Sequence, residues 1–470
     1  MTFVLQAPCP PRDAVIRFVA FADSGATCAM NDNEVTHQDD ERAGLVALAA
    51  ASVVVGAATG AIGVLFRFAL ERADTWRNAF VAWAHAGHDA AIVLVVLAAS
   101  AAAALAAWLV ARYAPMASGS GIPHVEAVLH GKVPPAPLVL VPIKFVGGVL
   151  AIGAGLALGR EGPTVQMGAS IAHAVGRFFR RNVGDCRVLL AAGAGAGLAT
   201  AFNAPIAGAV FVLEELTRRF DTRTAVAALG ASASAIAMAR LLHGDFPDFH
   251  VPPQPFPGFE MSGAHLVLGA LLGLLGAAYS RLIVWTLDAA ESVAPSGSVK
   301  HATMRAATIG AAVGLLAWFA PDLAGGGDAL TERALLGTGT LAGVTAMFAL
   351  RFILGPVSYA AGAPGGIFAP MLVLGAQTGL LFGRVCLDWF PGMAPAAGDT
   401  STFAVVGMAA FFVAVVRAPV TGIVLVTEMT ASFTLLLPML TACFTAMVVP
   451  MLLRVPPIYD SLGERAATRR

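Results

Sequence analysis

The sequence predicts an all-α protein that crosses a membrane many times, as two inverted-topology repeats of tilted, partly broken helices. Three observations predict it: a composition too apolar for a soluble domain, apolar runs of spanning length along the whole chain, and one segment that recurs. Of the 470 residues, 57% are hydrophobic and 12% are charged. Soluble domains carry about 25% charged residues. The runs at 44–66, 91–111, 264–287, 306–320 and 435–453 approach or exceed the roughly 20 apolar residues that a bilayer-crossing helix needs. The 50 glycines fit the same class. Small residues let helix backbones close up in lipid, where apolar burial gives no net drive.

The recurring segment is "NAPIAGAVFVLEEL" at 203–216, matched by "RAPVTGIVLVTEMT" at 417–430. Ala, Pro, Gly, two Val and a Glu coincide at a constant offset of 214 residues. "GPTVQMG" at 162–168 pairs more weakly with "APMLVLG" at 369–375, at an offset of 207. Similar offsets predict two related halves, about 43–245 and 262–466, joined near the polar loop 244–262. Repeats in transporters are commonly inverted about an axis in the membrane plane, with the substrate site between them near the midplane.

The ends differ from the middle. Residues 1–42 are polar, hold Asp32, Glu34, Asp39, Asp40 and Glu41, and lack a basic start, apolar core and cleavage site. They are expected to form a disordered cytoplasmic tail, with Met30 as an alternative start; residues 467–470 are a second short tail. Lys and Arg gather in cytoplasmic loops, and clusters stand at Arg177, Arg180, Arg181 and Arg187, at Arg218, Arg219 and Arg223, at Lys300 and Arg305, and at the C-terminus. These regions are assigned to the inside, with both termini. The loops 241–262 and 321–328, acidic and without Lys or Arg, are assigned to the outside. The net charge is zero, so nothing points to a nucleic acid. The single cysteines Cys9, Cys28, Cys186, Cys386 and Cys443 have no metal spacing, and no cofactor is implied.

Four polar spots interrupt the apolar runs: "SGSGIPHVEAVL" at 118–129, "GREGP" at 159–163, "GAPGGIFAP" at 362–370 and "PPIYDSL" at 456–462. Each joins Gly or Pro to the start of a predicted helix, where Pro loses nothing by lacking an N–H. A helix start presents unpaired amides and partial positive charge, and so suits an anion. Several converging starts would hold an anion without a full cationic charge, which lets it leave again. The expected donors are the Ser120 and Tyr459 hydroxyls and the amides near Ile367 and Phe368. The supporting backbone is Gly119, Gly121, Ile122 and Pro123, then Gly159, Arg160, Gly162 and Pro163, and Gly366.

A carboxylate at bilayer depth costs roughly 2.5–3.5 kcal/mol on insertion scales. Glu161 becomes tolerable there if it occupies the anion site when ionised and swings out when protonated. Gly159 and Gly162 are expected to leave its backbone room to move. A bound anion would then favour protonation, coupling the two ions. Arg160 is its neighbour in sequence, but adjacent residues do not face each other on a helix. "VLEELT" adds Glu214 and Glu215 near the inner boundary. Glu428 stands at the repeat position of Glu214, so that pair reads as structural. Glu215, opposite Met429, reads as the functional acid.

These motifs, in this order, resemble the CLC family of chloride channels and proton-coupled chloride transporters, over about residues 43–466. The likeness implies a CLC-type fold and a homodimer in the lipid bilayer, each subunit with its own anion pathway. It implies that Ser120 and Tyr459 are the side-chain donors at the central anion site, and Ile367 and Phe368 its amide donors. Glu161 resembles the external gating glutamate and Glu215 the internal proton glutamate of the exchanger branch. Ser120 resembles the chloride-preferring members. His124 departs from the pattern, standing where a glutamate is common in bacterial exchangers. The chain ends soon after Tyr459, which implies a bacterial inner-membrane member without paired cytoplasmic CBS domains.

The expected function is therefore chloride/proton antiport, not enzymatic catalysis. A passive chloride channel of the same family is the alternative. A distant one is an intramembrane serine hydrolase using Ser118 or Ser120, although His124, His130 and His173 form no recognisable activating pair. An organic solute carrier would need more recognising side chains than these spots offer. Phe178, Phe179, Met371, Phe411 and Phe412 read as packing residues. His85, His88, His243, His250 and His265 read as interfacial or loop residues.

Overall fold

In the computed structural model, backbone is described for 32–468 except 88–90, 245–248, 250, 253, 255, 296 and 390–399, and side chains begin at Gly44 and stop at 466. The tail readings for 1–31 and 467–470, with Met30, Cys9 and Cys28, thus lie outside the described side chains, as do His88 and His250. Among the described residues there are seventeen α-helices and no strand beyond two isolated bridges. They are α1 (Asp32–His85), α2 (Ala91–Tyr113), α3 (Ile122–Leu129), α4 (Leu140–Gly153), α5 (Glu161–Phe178), α6 (Val183–Phe202), α7 (Pro205–Phe211), α8 (Thr222–His243) and α9 (Ser262–Val293). There follow α10 (Val299–Phe319), α11 (Asp328–Leu335), α12 (Leu341–Ala360), α13 (Phe368–Trp389), α14 (Thr400–Val416), α15 (Pro419–Thr430), α16 (Leu436–Leu452) and α17 (Ile458–Thr468). The backbone of α1 begins inside the stretch read as a tail.

Among the described residues, nine helices are long and apolar enough to cross a membrane. Others are too short: α3 and α11 have eight residues each, against about 20 for a crossing. A helix that ends at bilayer depth is tolerable where other protein surrounds it.

The halves repeat element by element. Both eight-residue helices follow a left-handed glycine, Gly121 at φ 84° and Gly327 at φ 102°. In the first half α5 crosses α6 so closely that a Cβ at Gly168 would overlap the carbonyl of Gly193. In the second, α13 crosses α14 and a Cβ at Gly375 would overlap the carbonyl of Gly407. These contacts explain part of the glycine content: the backbones themselves are the packing surface. Pro205 and Pro419 open α7 and α15 in the two repeated segments. The first segment ends in a π turn, Val212–Leu216, closed by the Thr217 amide on the Val212 carbonyl at 2.9 Å. The second stays α-helical to Thr430.

The inversion is visible at these two helices. Glu214, near the end of the first, accepts the amides of Val420 and Thr421 at 3.0 and 2.6 Å. Glu428, near the end of the second, accepts the amides of Ile206 and Ala207 at 3.1 and 2.8 Å. Each helix thus sets its C-terminal part beside the other's start, so the two run antiparallel.

Two ion pairs join segments far apart in the chain. Arg218 pairs with Asp460, and Arg465 with Asp288. Two expectations need correction. Phe178 and Phe179 are exposed, because they fall at the end of α5 where no neighbour covers them. His265 is buried, its ring 5.4 Å from that of Phe403. Met371, Phe411 and Phe412 are fully buried as expected.

Candidate functional site

All four polar spots open helices: Ile122 starts α3, Glu161 starts α5, Phe368 starts α13 and Ile458 starts α17. Backbone bonds tie three of them together. The Gly119 amide donates to the Ala363 carbonyl at 3.1 Å, and the Gly365 amide donates back to Gly119 at 3.2 Å. Gly159 and Gly366 exchange two bonds, at 2.7 and 2.8 Å. Residues some 200 positions apart are thereby held as one frame, and helix starts from both halves are brought to it. Gly119 and Gly121 need the left-handed region, at φ 63° and 84°.

Gly159 and Gly162 do a different job from the one expected. Neither adopts a positive φ; what each supplies is space. A Cβ on Gly159 would overlap the Glu161 Oε2 atom. A Cβ on Gly162 would lie 2.6 Å from the Ser120 carbonyl oxygen and 2.5 Å from its Oγ. The two glycines let the carboxylate and the serine loop press against the "GREGP" backbone.

Glu161 is buried, and its Oε2 has no hydrogen-bond partner among the described residues. Its carboxyl group faces the Ala369 amide at the start of α13, one residue beyond the expected Phe368. First-turn amides have no acceptor within their own helix, so the carboxylate sits where an anion would be favoured. Arg160 turns the other way. Its Nε donates to the Ala201 carbonyl at 2.9 Å, and its Nη1 lies 4.0 Å from Asp328.

Ser120 and Tyr459 are both fully buried, and neither hydroxyl completes a hydrogen bond of normal geometry. The Tyr459 hydroxyl lies beside Ser120 and within electrostatic range of both Glu161 and Glu215. Ile367 and Phe368 are buried beside this frame, and the Phe368 ring packs 4.4 Å from that of Phe412. Ser118 donates its hydroxyl to the Gly362 carbonyl at 3.0 Å, a bond that holds the loop.

Glu215 is buried on the π turn, with Oε1 unpartnered among the described residues. Glu126, Arg218, Asp460 and Glu214 surround it. Arg218 bridges Glu126 at 3.2 Å and Asp460 at 2.6 Å. The π turn widens the helix, so that adjacent glutamates part: Glu214 reaches α15 and Glu215 enters the interior. Such turns recur at functional sites.

Three contributors escaped the sequence reading. Lys144, fully buried on α4, donates to the Ala117 and Gly119 carbonyls at 2.9 and 2.7 Å. Tyr359 accepts the Ser120 amide at 3.3 Å. The Glu126–Arg218–Asp460 group frames Glu215. Lys144 left a signal, as the lone charge in the apolar run 137–159. The others left none, because only folding brings them to the site.

Residues 102–450 match the family model described as voltage gated chloride channel. The chain belongs to this family, the CLC proteins. As a CLC protein it is 37% identical over 434 residues to the H(+)/Cl(-) exchange transporter ClcA of Citrobacter koseri, covering 90% of each chain. It is 38% identical over 419 residues to the protein of that name from Vibrio cholerae, covering 88% of each. Among solved structures, a slow cyanobacterial Cl-/H+ antiporter superposes with a TM-score of 0.85 at 34% identity, over 90% of this chain and 98% of that one. A CLC-type fluoride/proton antiporter shares the fold, with a TM-score of 0.73 at 22% identity, over 86% of this chain and 95% of that one.

Proposed function

We propose that this CLC protein exchanges chloride for protons across a bacterial inner membrane. The observation that carries the reading is the seat of Glu161: a buried carboxyl group set against an amide at a helix start, beside the Ser120 loop. Ionised, Glu161 competes with chloride for those donors. Protonated, it loses its attraction for them and yields the place. Chloride arriving then favours the protonated form, and each ion's movement depends on the other's. Ser120 and Tyr459 give hydroxyl hydrogens to the anion, and Ile367 and Phe368 give amides. None brings a full positive charge, so the anion can leave. Glu215 takes the proton on the other side, and Tyr459 lies within range of both acids.

The likeness to proteins called H(+)/Cl(-) exchange transporters and to a solved Cl-/H+ antiporter favours exchange over passive conduction. In this reading residues 43–466 form the transport domain, with halves 43–245 and 262–466, both termini cytoplasmic. Two copies assemble, each with its own pathway.

The test is a crossed gradient. Purified protein in liposomes is given a chloride gradient with no pH difference. Exchange predicts that protons move uphill against their own gradient and that the reversal potential shifts with pH. Reversal at the chloride potential whatever the pH would replace the exchanger with a channel.

A further inference from the structure

The two halves fix a glycine loop in the same way and then present different chemistry. In the first half the buried Lys144 on α4 donates to the Gly119 carbonyl at 2.7 Å, just ahead of Gly121 and α3. In the second the buried Arg351 on α12 donates to the Gly325 carbonyl at 2.7 Å, just ahead of Gly327 and α11. The cations stand 207 positions apart and the carbonyls 206. A Cβ on Gly327 would lie 2.5 Å from the Arg351 Nη2 atom, so the guanidinium sits directly against the start of α11. At the positions matching Ser120 and Ile122 stand Gly326 and Asp328. One loop offers a hydroxyl and no charge; the other offers a carboxylate.

That carboxylate stands at a mouth of the anion site. Ala369, whose amide faces the Glu161 carboxyl group, lines a gap of about 10 Å³ together with Arg160, Asp328 and Thr331. The other lining residues, among them Phe202, Leu372 and Met429, are apolar. Such a gap is about what one water needs. An ion that passes must therefore press against the walls and meet their charges at close range. Arg160 Nη1 lies 4.0 Å from Asp328, but the arginine side chain is 15% exposed and the aspartate 64%. An approaching anion thus meets the carboxylate first. Asp328 is also within electrostatic range of Glu161, Asp74 and Arg351. Charge in a narrow cleft with low-dielectric walls sets the local ion concentration, and here the exposed charge is negative.

We infer that Asp328 is a brake on chloride at the mouth beyond Glu161, on the side read as external: its carboxylate offsets Arg160 and repels the incoming anion. The inference rests on the chloride pathway proposed above and not on proton coupling.

The full chain and its variants are purified into liposomes of zwitterionic lipid, and initial uptake of radioactive chloride is followed. Ionic strength is set at about 0.01 M, where the Debye length is about 30 Å, or raised with a gluconate salt to about 1 M, where it is about 3 Å. At low ionic strength and low chloride, Asp328→Asn should take up chloride about two- to fivefold faster than the wild type, the scale of one exposed charge. Asp328→Lys should be faster still, and Asp328→Glu close to the wild type. The differences should vanish at saturating chloride and at high ionic strength, which a change of shape alone would not produce. Asp328→Asn decides the matter if the lysine variant does not fold. Wild-type rates in folded Asp328→Asn and Asp328→Lys proteins at low ionic strength would overturn the brake, as would rate changes that persist at high ionic strength. Loss of proton movement in Asp328→Asn with unchanged chloride rates would also overturn it and place Asp328 on the proton path. The readout is chloride alone, so a wild type that fails to couple protons leaves these ratios standing. A wild type that carries no chloride would sink the pathway and the brake together.

Discussion

Glu214 and Glu428 each cap the helix that carries the other. The two carboxylates stand 214 positions apart in the chain, and so do the amides they accept: Ile206 and Ala207 for one, Val420 and Thr421 for the other. Such an exchange arises when two like segments meet across a pseudo-two-fold axis. It places negative charge at two helix starts, where it is favoured, and locks the halves together at their centre. A repeated acid thus serves the frame, leaving its unrepeated neighbour Glu215 free for another task.

Loss of either cap should therefore cost stability and not coupling. Hydrogen bonds to a charged group contribute about 1.5–3 kcal/mol. Glu214→Gln and Glu428→Gln should each lower the unfolding temperature of the detergent-solubilised protein, with the proton-to-chloride ratio of the surviving folded fraction unchanged. An altered ratio with normal stability would give these residues a transport role.

Glu161→Gln should retain chloride flux and lose its dependence on pH, because the side chain can no longer take the charged form that competes with chloride. Glu215→Gln should also abolish proton movement while sparing anion flux, with the pH response through Glu161 intact. Parallel chloride-efflux and proton-uptake records in liposomes distinguish the two. Uphill proton pumping by either variant would remove that residue from the proton path.

Gly159→Ala should act like an opened gate. The added methyl would overlap the Glu161 Oε2 atom, while its next neighbour, the Ala369 Cβ, lies at 3.1 Å. A flexible side chain yields more easily than backbone, and residue 159 needs no positive φ. The protein should fold, expel the carboxylate from its seat, conduct chloride faster and pump fewer protons per chloride. Unchanged coupling in a well-folded G159A protein would show that the carboxylate does not use this space.

Lys144→Met should loosen the serine loop. The lysine is the donor for two buried carbonyls, at Ala117 and Gly119. Leaving buried polar groups unsatisfied costs about 1–3 kcal/mol. Chloride affinity should fall about tenfold or more by calorimetry, with Lys144→Arg a partial rescue. Wild-type affinity in K144M would confine the lysine to folding.

Much of this molecule was legible in the sequence because its determinants are local. Runs of apolar residues mark the spans, Gly and Pro mark where α3, α5, α13 and α17 begin, and the offset between the "NAPIAG" and "RAPVTG" segments marks the halves. Glu161 stood out as a carboxylate with no apolar reason to exist. What escaped was pairing over distance. Nothing near Tyr359 announces that it accepts the Ser120 amide, or that Arg218 will join Glu126 to Asp460. The role of Gly159 was misread as backbone freedom, since one chain cannot tell a glycine that bends from a glycine that makes room.

The sequence by itself determined that the chain lives in a membrane, breaks its helices at four polar spots and carries its pattern twice. These follow from side-chain hydrophobicity and backbone sterics, which act over a few residues. Only the tertiary structure decided that the helix starts meet, that Gly159 bonds Gly366, and that Glu161 faces an amide from the opposite half. Those outcomes depend on how two inverted halves close on each other, and in lipid that closure rests on backbone contact and buried hydrogen bonds between residues far apart in the chain.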